Sequence, residues 1–391
     1  LGNIAGVAVA IQQGGPGAVF WMMLLALFGM SAKFSSCTLS QMYRRVNADG
    51  SISGGPMYYL DLGLRDISTF LKPVGKVLAI IYAIFIMGGS FGGGNMFQSN
   101  QTAEAITNTF GLGAGANSII GIVLAVLVAA VVLGGIQRIG AATSKIVPLM
   151  CGIYVIAALI VIFANLHAIP AAVQVIFHEA FSQNAFFGGL LGVIVSGFRR
   201  AAFSNEAGLG SAAIAHAAAK TKEPVREGLV AMLEPFIDTI IICFMTSMVI
   251  VVTGVYTDPA IGAGTSDVGV TLTAAAFESV IPWFPILLTL CIALFAYSTM
   301  ISWCYYGERG WIYLFDHFGE GVGIKTLPIF RTIFVIFTYI GAVSSLGDVI
   351  DFSDLMILSL AFPNIIGSLI LAPRVKQLLT SYWRRLQAGE M

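Results

Sequence analysis

"FSNEAGLG", at residues 203–210, sets serine, asparagine and glutamate among glycines in the middle of a long apolar stretch. The chain opens on a related octapeptide, "LGNIAGVA" at residues 1–8. In register, Asn3 meets Asn205, Ala5 meets Ala207 and Gly6 meets Gly208. The apolar segment around the second copy, 186–216, is longer than the ~20 residues that a straight transmembrane helix needs. It holds Gly188, Gly189, Gly192 and Gly197 and the pair Arg199-Arg200, which predicts an interruption around 197–203, with the break between Gly197 and Asn205. A broken helix exposes backbone N–H and C=O groups at the membrane midplane, where they are tolerated only facing protein or a wet cavity. Half-helix N-termini there suit anions and freed carbonyls suit cations. The paired Asn-x-Ala-Gly motifs are therefore expected to start the inner ends of two broken helices, segments one and six, that frame one central site.

Composition supports a membrane setting. Residues are 57% hydrophobic and 10% charged, with 44 glycines, and apolar runs recur from end to end. This describes an all-α polytopic membrane protein. The runs are continuous and do not alternate, which argues against a β-barrel. The formal net charge of zero gives no case for nucleic acid. The five cysteines, Cys37, Cys151, Cys243, Cys291 and Cys304, form no CxxC pair and read as small packing hydrophobes. The partners read from the sequence are a lipid bilayer and a small-molecule substrate, with no nucleic acid and no obligatory protein partner.

Ten segments lie near 1–13, 17–43, 75–104, 117–136, 143–165, 186–218, 228–254, 283–306, 326–346 and 352–372, with surface helices near 168–184 and 266–281. The first is about half a span, so the N-terminus reads as truncated inside segment one. Lys and Arg occupy every second loop: Arg44 to Lys76, then Arg138, then Lys220 to Arg226, then Arg309 and Lys325, then Arg374 to Arg385. The alternate loops carry none and hold Glu179, Asp258, Asp267, Glu278, Asp348 and Asp351. The positive-inside rule places the basic set, and the C-terminus, in the cytoplasm. Asn3 then lies in a segment running outward and Asn205 in one running inward, each opening a group of five. That is an inverted repeat, about 1–167 and 185–391, within a single transmembrane domain of 1–391.

Five motifs carry a resemblance: "GNIAGVA" (2–8), "GGPGAVFWMM" (14–23), "GGPMYYL" (54–60), "FSNEAGLGSAAIAHAAAKT" (203–221) and "YSTMISWCYYGERGW" (297–311). Over its whole length the chain resembles the alanine or glycine:cation symporter family, the sodium:alanine symporter-like proteins. The resemblance implies the five-plus-five inverted-repeat fold of the leucine-transporter type. It also implies uptake of alanine or glycine with Na⁺, or sometimes H⁺, as coupling ion, by alternating access in the plasma membrane of a bacterial or archaeal cell. The sequence departs from the family pattern at Met23 (usually Trp), Ser36 (usually Glu) and Ala201 (commonly Gly). Without that Glu, Lys33 is expected to lack its neighbour one turn on.

A zwitterionic substrate needs donors for its carboxylate and acceptors for its ammonium. Leu1, Gly2 and Asn3 offer backbone N–H groups at the start of the outer half-helix, with packing as the alternative role of the glycine. Asn95 and Gln98 share a face of segment three. They either line the site, Gln98 foremost, or hydrogen-bond across helices. On segment eight, Ser298 and Thr299 are adjacent hydroxyls, and with the Phe295 carbonyl they could give a hard cation three oxygens. In the leucine-transporter fold such hydroxyls hold sodium, and the resemblance carries that role to this pair. The competing role is back-bonding to preceding carbonyls. Trp303 and Phe203 are candidates to cap a small pocket. Glu206 is expected to pair with Arg199 or Arg200, Asp238 with Lys145 or Lys33 unless it titrates, and His216 is expected to be interfacial.

A secondary transporter is the leading reading. A homologue with another substrate or coupling ion is the alternative, and a channel is the alternative from a different class. Polar residues gather at mid-depth in segments one, three, six and eight and form no continuous stripe, which favours an occluded site. An enzyme is not expected: neither paired carboxylates with His nor HExxH occurs, and no GxxxxGK[ST] points to an ATP-driven pump.

Overall fold

The computed structural model describes residues 1–47, 50–113, 115–133, 136–182, 189–259, 261 and 269–390, with residues 136–146 described by their backbone only. It is an all-α membrane protein. Among the described residues six helices are long and apolar enough to cross a bilayer, and the shorter apolar helices Ala116–Val132 and Leu327–Val343 join them. Leu, Ile, Val and Phe side chains exposed on many of these helices, such as Phe28, Ile119 and Leu369, form the lipid-facing surface.

The ten expected segments are all present. Segment one is a π-helical turn, Gly2–Gly6, continued by Val7–Gly14. Segment two is Ala18–Met42. Segment three runs as Lys72–Phe91 and Phe97–Thr109 around a π-helical stretch, Gly92–Met96. Segments four and five are Ala116–Val132 and Ile136–Ala164. Segment seven spans 224–253, with a π-helical stretch Phe236–Cys243. Segment eight, Phe284–Phe315, continues past its expected end, and segment nine is Leu327–Val343. Segment ten comprises Leu346–Ser359 and Ala361–Gln387. The surface helices are Ile169–Ala180 and Gly269–Glu278; parts of their expected ranges lie outside the described residues. The "GGPMYYL" stretch is a buried helical insert over 56–67, preceded by a two-stranded ribbon that pairs Arg45 with Ser53 and Val46 with Ile52.

The break in segment six is displaced from its expected position. Gly189–Asn205 is continuous helix through Gly197 and the Arg pair, and the chain leaves helix only at 206–211, resuming as Ala212–His216. Gly197 serves close packing: a Cβ there would lie 2.5 Å from the Ala18 carbonyl oxygen. The interruption belongs to residues with positive φ, Glu206 (55°), Gly208 (83°) and Gly210 (79°), a region costly for any residue but glycine. Asn205 ends the helix by accepting, on its side-chain oxygen, the Ala207 N–H at 2.9 Å.

The freed carbonyls are taken up by surrounding helices. Lys33 Nζ donates to Asn205 O (2.5 Å), Asn364 Nδ2 to Gly208 O (2.7 Å) and Tyr82 Oη to Leu209 O (2.9 Å). Segment eight packs along segment three and against segment five. A Cβ at Gly94 would fall 2.5 Å from Trp303 Cβ, so the glycine lets the indole lie against segment three. The basic loops meet one another at one end of the bundle. Arg44 donates to the carbonyls of Ala217, Ala219 and Thr221, and Arg309 to that of Ile52 (3.4 Å). Arg385 forms a bidentate pair with Glu223 (2.8 and 2.7 Å).

Candidate functional site

A small cavity of about 100 Å³ lies between the first residues of segment one and the break in segment six. Leu1, Gly2 and Asn3 form one wall, Phe203, Ser204 and Glu206 a second, Gly93 and Gln98 a third, and Phe295, Thr299 and Trp303 a fourth. Ile357 of segment ten completes the lining, so five segments of mainly apolar sequence converge here.

Glu206 supplies the cavity's carboxylate. Its positive φ turns the residue out of the helical path. Trp303 Nε1 donates to Oε1 at 3.0 Å and Ser211 Oγ to Oε2 at 2.5 Å. Gln98 is fixed by donating to Gly93 O (2.7 Å), a carbonyl of the π-helical stretch, while its Oε1 accepts from the Leu1 nitrogen at 3.0 Å. Phe203 stands edge-on to Phe97 with centroids 4.9 Å apart and carries Arg200 over its other side at 5.2 Å. In segment one the N–H groups of Ile4, Ala5 and Gly6 donate to Leu1 O. Gly2 also has the packing role weighed for it, since a Cβ would lie 2.6 Å from Ser204 Cα.

The two motif asparagines end on neighbouring residues of segment seven. Asn3 Nδ2 donates to Asp238 Oδ1 (2.6 Å) and Asn205 Nδ2 to Thr239 Oγ1 (2.9 Å). Ser204 Oγ and Thr239 Oγ1 donate to Asp238 Oδ2 at 2.7 and 2.8 Å. The π-helical stretch of segment seven therefore ties the first residues of segment one to the break in segment six.

The other site candidates divide. Gln98, Gly2, Asn3, Phe203, Trp303, Phe295 and Thr299 line the cavity. Asn95 does not: it donates to Phe334 O (2.6 Å) and accepts from Thr338 Oγ1 (2.9 Å), joining segments three and nine. Asn95 lies within the π-helical stretch Gly92–Met96, whereas Gln98 lies in the α-helix that follows it. Ser298 and Thr299 both donate to Phe295 O at 2.9 Å, the back-bonding arrangement. A hydroxyl that donates to a carbonyl still has lone pairs to offer as an acceptor. Only Thr299 of the two hydroxyls borders the cavity.

Where the described side chains test them, the expected ion pairs are corrected. Glu206 pairs with neither Arg199 nor Arg200; Arg200, fully buried, pairs with Asp354 of segment ten. Lys33 does not lack a partner. Its ammonium meets Glu234 of segment seven and the Asn205 carbonyl, so a carboxylate from another helix stands in for one on its own. It does not pair with Asp238, and the Lys145 side chain lies outside the described residues. His216 Nδ1 meets Glu227 Oε1 at 2.5 Å. Glu206 is the residue that sequence reasoning misplaced. The signal was present: between Asn and Ala-Gly the two motifs differ as Ile4 against Glu206, and that one difference puts a carboxylate at the break.

A sequence profile of the sodium:alanine symporter family matches residues 1–391. The sodium/alanine symporter AgcS of Methanococcus maripaludis is 43% identical over 372 residues, covering 95% of this chain and 78% of that protein. The amino-acid carrier protein AlsT of Bacillus subtilis is 34% identical over 99% of this chain and 78% of its own. The probable sodium/glutamine symporter GlnT of the same organism is 32% identical, over 100% of this chain and 77% of its own.

Proposed function

The chain belongs to the sodium:alanine symporter family, a family of transporters and not of enzymes, and on that premise we propose that it takes up alanine or glycine together with Na⁺ by alternating access. In this reading the five-plus-five inverted repeat, about 1–167 and 185–391 within one domain, is the moving framework, in the manner of the leucine-transporter fold. The basic loops and the C-terminus face the cytoplasm of a bacterial or archaeal cell.

The observation that carries the reading is the cavity between the start of segment one and the break in segment six, lined by Glu206, Gln98 and Thr299. The substrate ammonium meets the Glu206 carboxylate and Gln98 Oε1. Its carboxylate meets the N–H groups of Gly2 and Asn3, at the positive end of a helix. Trp303 and Phe203 close over a side chain no larger than a methyl group, which supports alanine or glycine over bulkier amino acids. Na⁺ takes the Thr299 and Ser298 hydroxyl oxygens and the Phe295 carbonyl. The corrected roles of Asn95 and of segment six leave this arrangement intact, because the break has moved only to the far side of Asn205.

Radiolabelled alanine uptake into proteoliposomes, with Na⁺ and pH gradients imposed separately, tests the reading. Accumulation driven by the Na⁺ gradient alone is expected. Accumulation driven only by the pH gradient would replace Na⁺ by H⁺. Uptake that never exceeds equilibrium under either gradient would make the protein a channel or facilitator and overturn symport.

A further inference from the structure

Helix Gly189–Asn205 turns Leu191, Val195 and Arg199, spaced one turn apart, to its exposed face, with Leu191 73% and Val195 46% exposed. Segment ten exposes Asp351, Leu355 and Phe362 in the same manner, Leu355 at 62% and Phe362 at 75%. In a membrane protein such leucine, valine and phenylalanine stripes face lipid, yet each stripe here includes a charge. Arg200 pairs with Asp354, so its neighbour Arg199 lies at the same depth as Asp354, and Asp351 lies about one turn beyond.

Between the stripes is an open groove of about 380 Å³, lined by Arg199, Asp351 and Asp354 and by the apolar Leu355, Leu358 and Phe362. Among the described residues Arg199 and Asp351 make no hydrogen bond or ion pair. Asp354 is 8% exposed, and its Oδ1 is buried without a hydrogen-bond partner while Oδ2 takes Arg200. Charges exposed on a lipid-facing surface are costly unless something pairs with them. The groove therefore presents one unpaired cation, one unpaired anion and one half-satisfied carboxylate beside an apolar wall.

We propose that this groove binds the headgroup of a zwitterionic phospholipid bearing a primary ammonium, a phosphatidylethanolamine. Its phosphate lies on Arg199, its ammonium between Asp351 and Asp354, and an acyl chain along Leu355 and Phe362. The charge pattern selects this occupant. An anionic lipid without an ammonium sets its phosphate against two aspartates, and a choline headgroup has no N–H to donate to them. A free amino acid carries the same pair of charges but leaves the apolar wall uncovered.

Native mass spectrometry of the full-length protein, offered equal amounts of dioleoyl phosphatidylethanolamine, phosphatidylcholine and phosphatidylglycerol, reads the occupant. Retention of the ethanolamine lipid over the choline lipid by about fivefold or more is expected, the scale of one net hydrogen bond, since both headgroups carry the same charges. Arg199→Gln should lower its retention, Arg199→Lys should restore it, and Asp351→Asn should abolish the ethanolamine-over-choline preference. If a variant is not recovered folded, the wild-type protein with the mono-, di- and trimethylated headgroup series gives the same reading, with retention falling as N–H groups are lost. Equal retention of the ethanolamine and choline lipids overturns the proposal, as does a preference unchanged in both Arg199→Gln and Asp351→Asn. Displacement of the lipid by saturating alanine also overturns it and makes the groove an amino-acid subsite.

Discussion

Thr299, Gln98 and Glu206 line one small cavity; Thr299 is assigned to the cation, Gln98 and Glu206 to the substrate ammonium. Thr299→Ala removes one oxygen from the proposed cation shell and leaves the substrate contacts in place. By analogy with an unsatisfied buried polar group the loss is ~1–3 kcal/mol, roughly 5- to 150-fold in the Na⁺ concentration for half-maximal uptake. Gln98→Ala should instead raise the alanine requirement at saturating Na⁺. Binding linkage spreads each effect to the other ligand, so the informative constant is the one that moves while the partner is saturating. An unchanged Na⁺ dependence in folded Thr299→Ala would make the Phe295 back-bond the whole role of that hydroxyl. Glu206→Gln tests the carboxylate separately. Gln can still accept from Trp303 and reach Ser211, so the cavity keeps its shape while losing its charge. Charge-assisted bonds carry ~1.5–3 kcal/mol, so half-maximal uptake should need roughly 10- to 150-fold more alanine, with the melting temperature close to wild type. A large fall in melting temperature with unaltered alanine affinity would assign Glu206 to structure alone.

At the scale of elements, the break in segment six depends on partners from three other helices. Asn364 is the central one: it donates to Gly208 O and accepts the Tyr59 hydroxyl, so the buried "GGPMYYL" helix supports the interruption through segment ten. Asn364→Ala leaves a buried carbonyl and a buried hydroxyl unsatisfied, at ~1–3 kcal/mol each. Tyr59→Phe removes only the hydroxyl. Both should lower the melting temperature in detergent, Asn364→Ala more, and the double variant should lose less than the sum, because the two share one bond. Strict additivity would mean that the Tyr59–Asn364 contact contributes nothing. This network also marks where sequence reading ended. Segment positions were legible because apolar length is set by the bilayer, and the existence of a break was legible in the length of segment six. Its place was not, because Gly197 looks like a breaker until the Ala18 carbonyl is seen against it, whereas Glu206 does not look like a residue with positive φ. The sequence ranks Gln98 above Asn95, and the reason Asn95 drops out, its bonds to Phe334 and Thr338 of segment nine, comes from a helix far away along the chain. The partners of Lys33 and Arg200 come from segments far away in sequence, so no local pattern could name Glu234 or Asp354.

For the whole molecule, the loops that carry Lys and Arg are joined to one another, which gives the charge segregation a structural counterpart. Arg44 reaches the loop after segment six, Arg309 the ribbon after segment two, and Arg385 the Glu223 carboxylate. At the opposite end Trp21 Nε1 donates to Ala180 O (2.9 Å) and Thr109 meets Thr289 (2.7 Å). Four of the five basic regions thus meet at one end of the bundle, the Arg138 side chain lying outside the described residues, and the positive-inside rule assigns that end to the cytoplasm. The free cysteines are buried or half-buried, so introduced thiols can be read against a quiet background. With a membrane-impermeant maleimide, Thr257→Cys should label on intact cells, and Lys222→Cys only after permeabilisation. A cysteine at Glu390 should follow Lys222, since the Arg385–Glu223 pair holds the C-terminal helix to that loop. Labelling of position 222 from outside would invert the orientation and, with it, the direction in which the cavity opens first. Positions 222 and 390 labelling from opposite sides would contradict the pairing of the two regions and so the helix count between them.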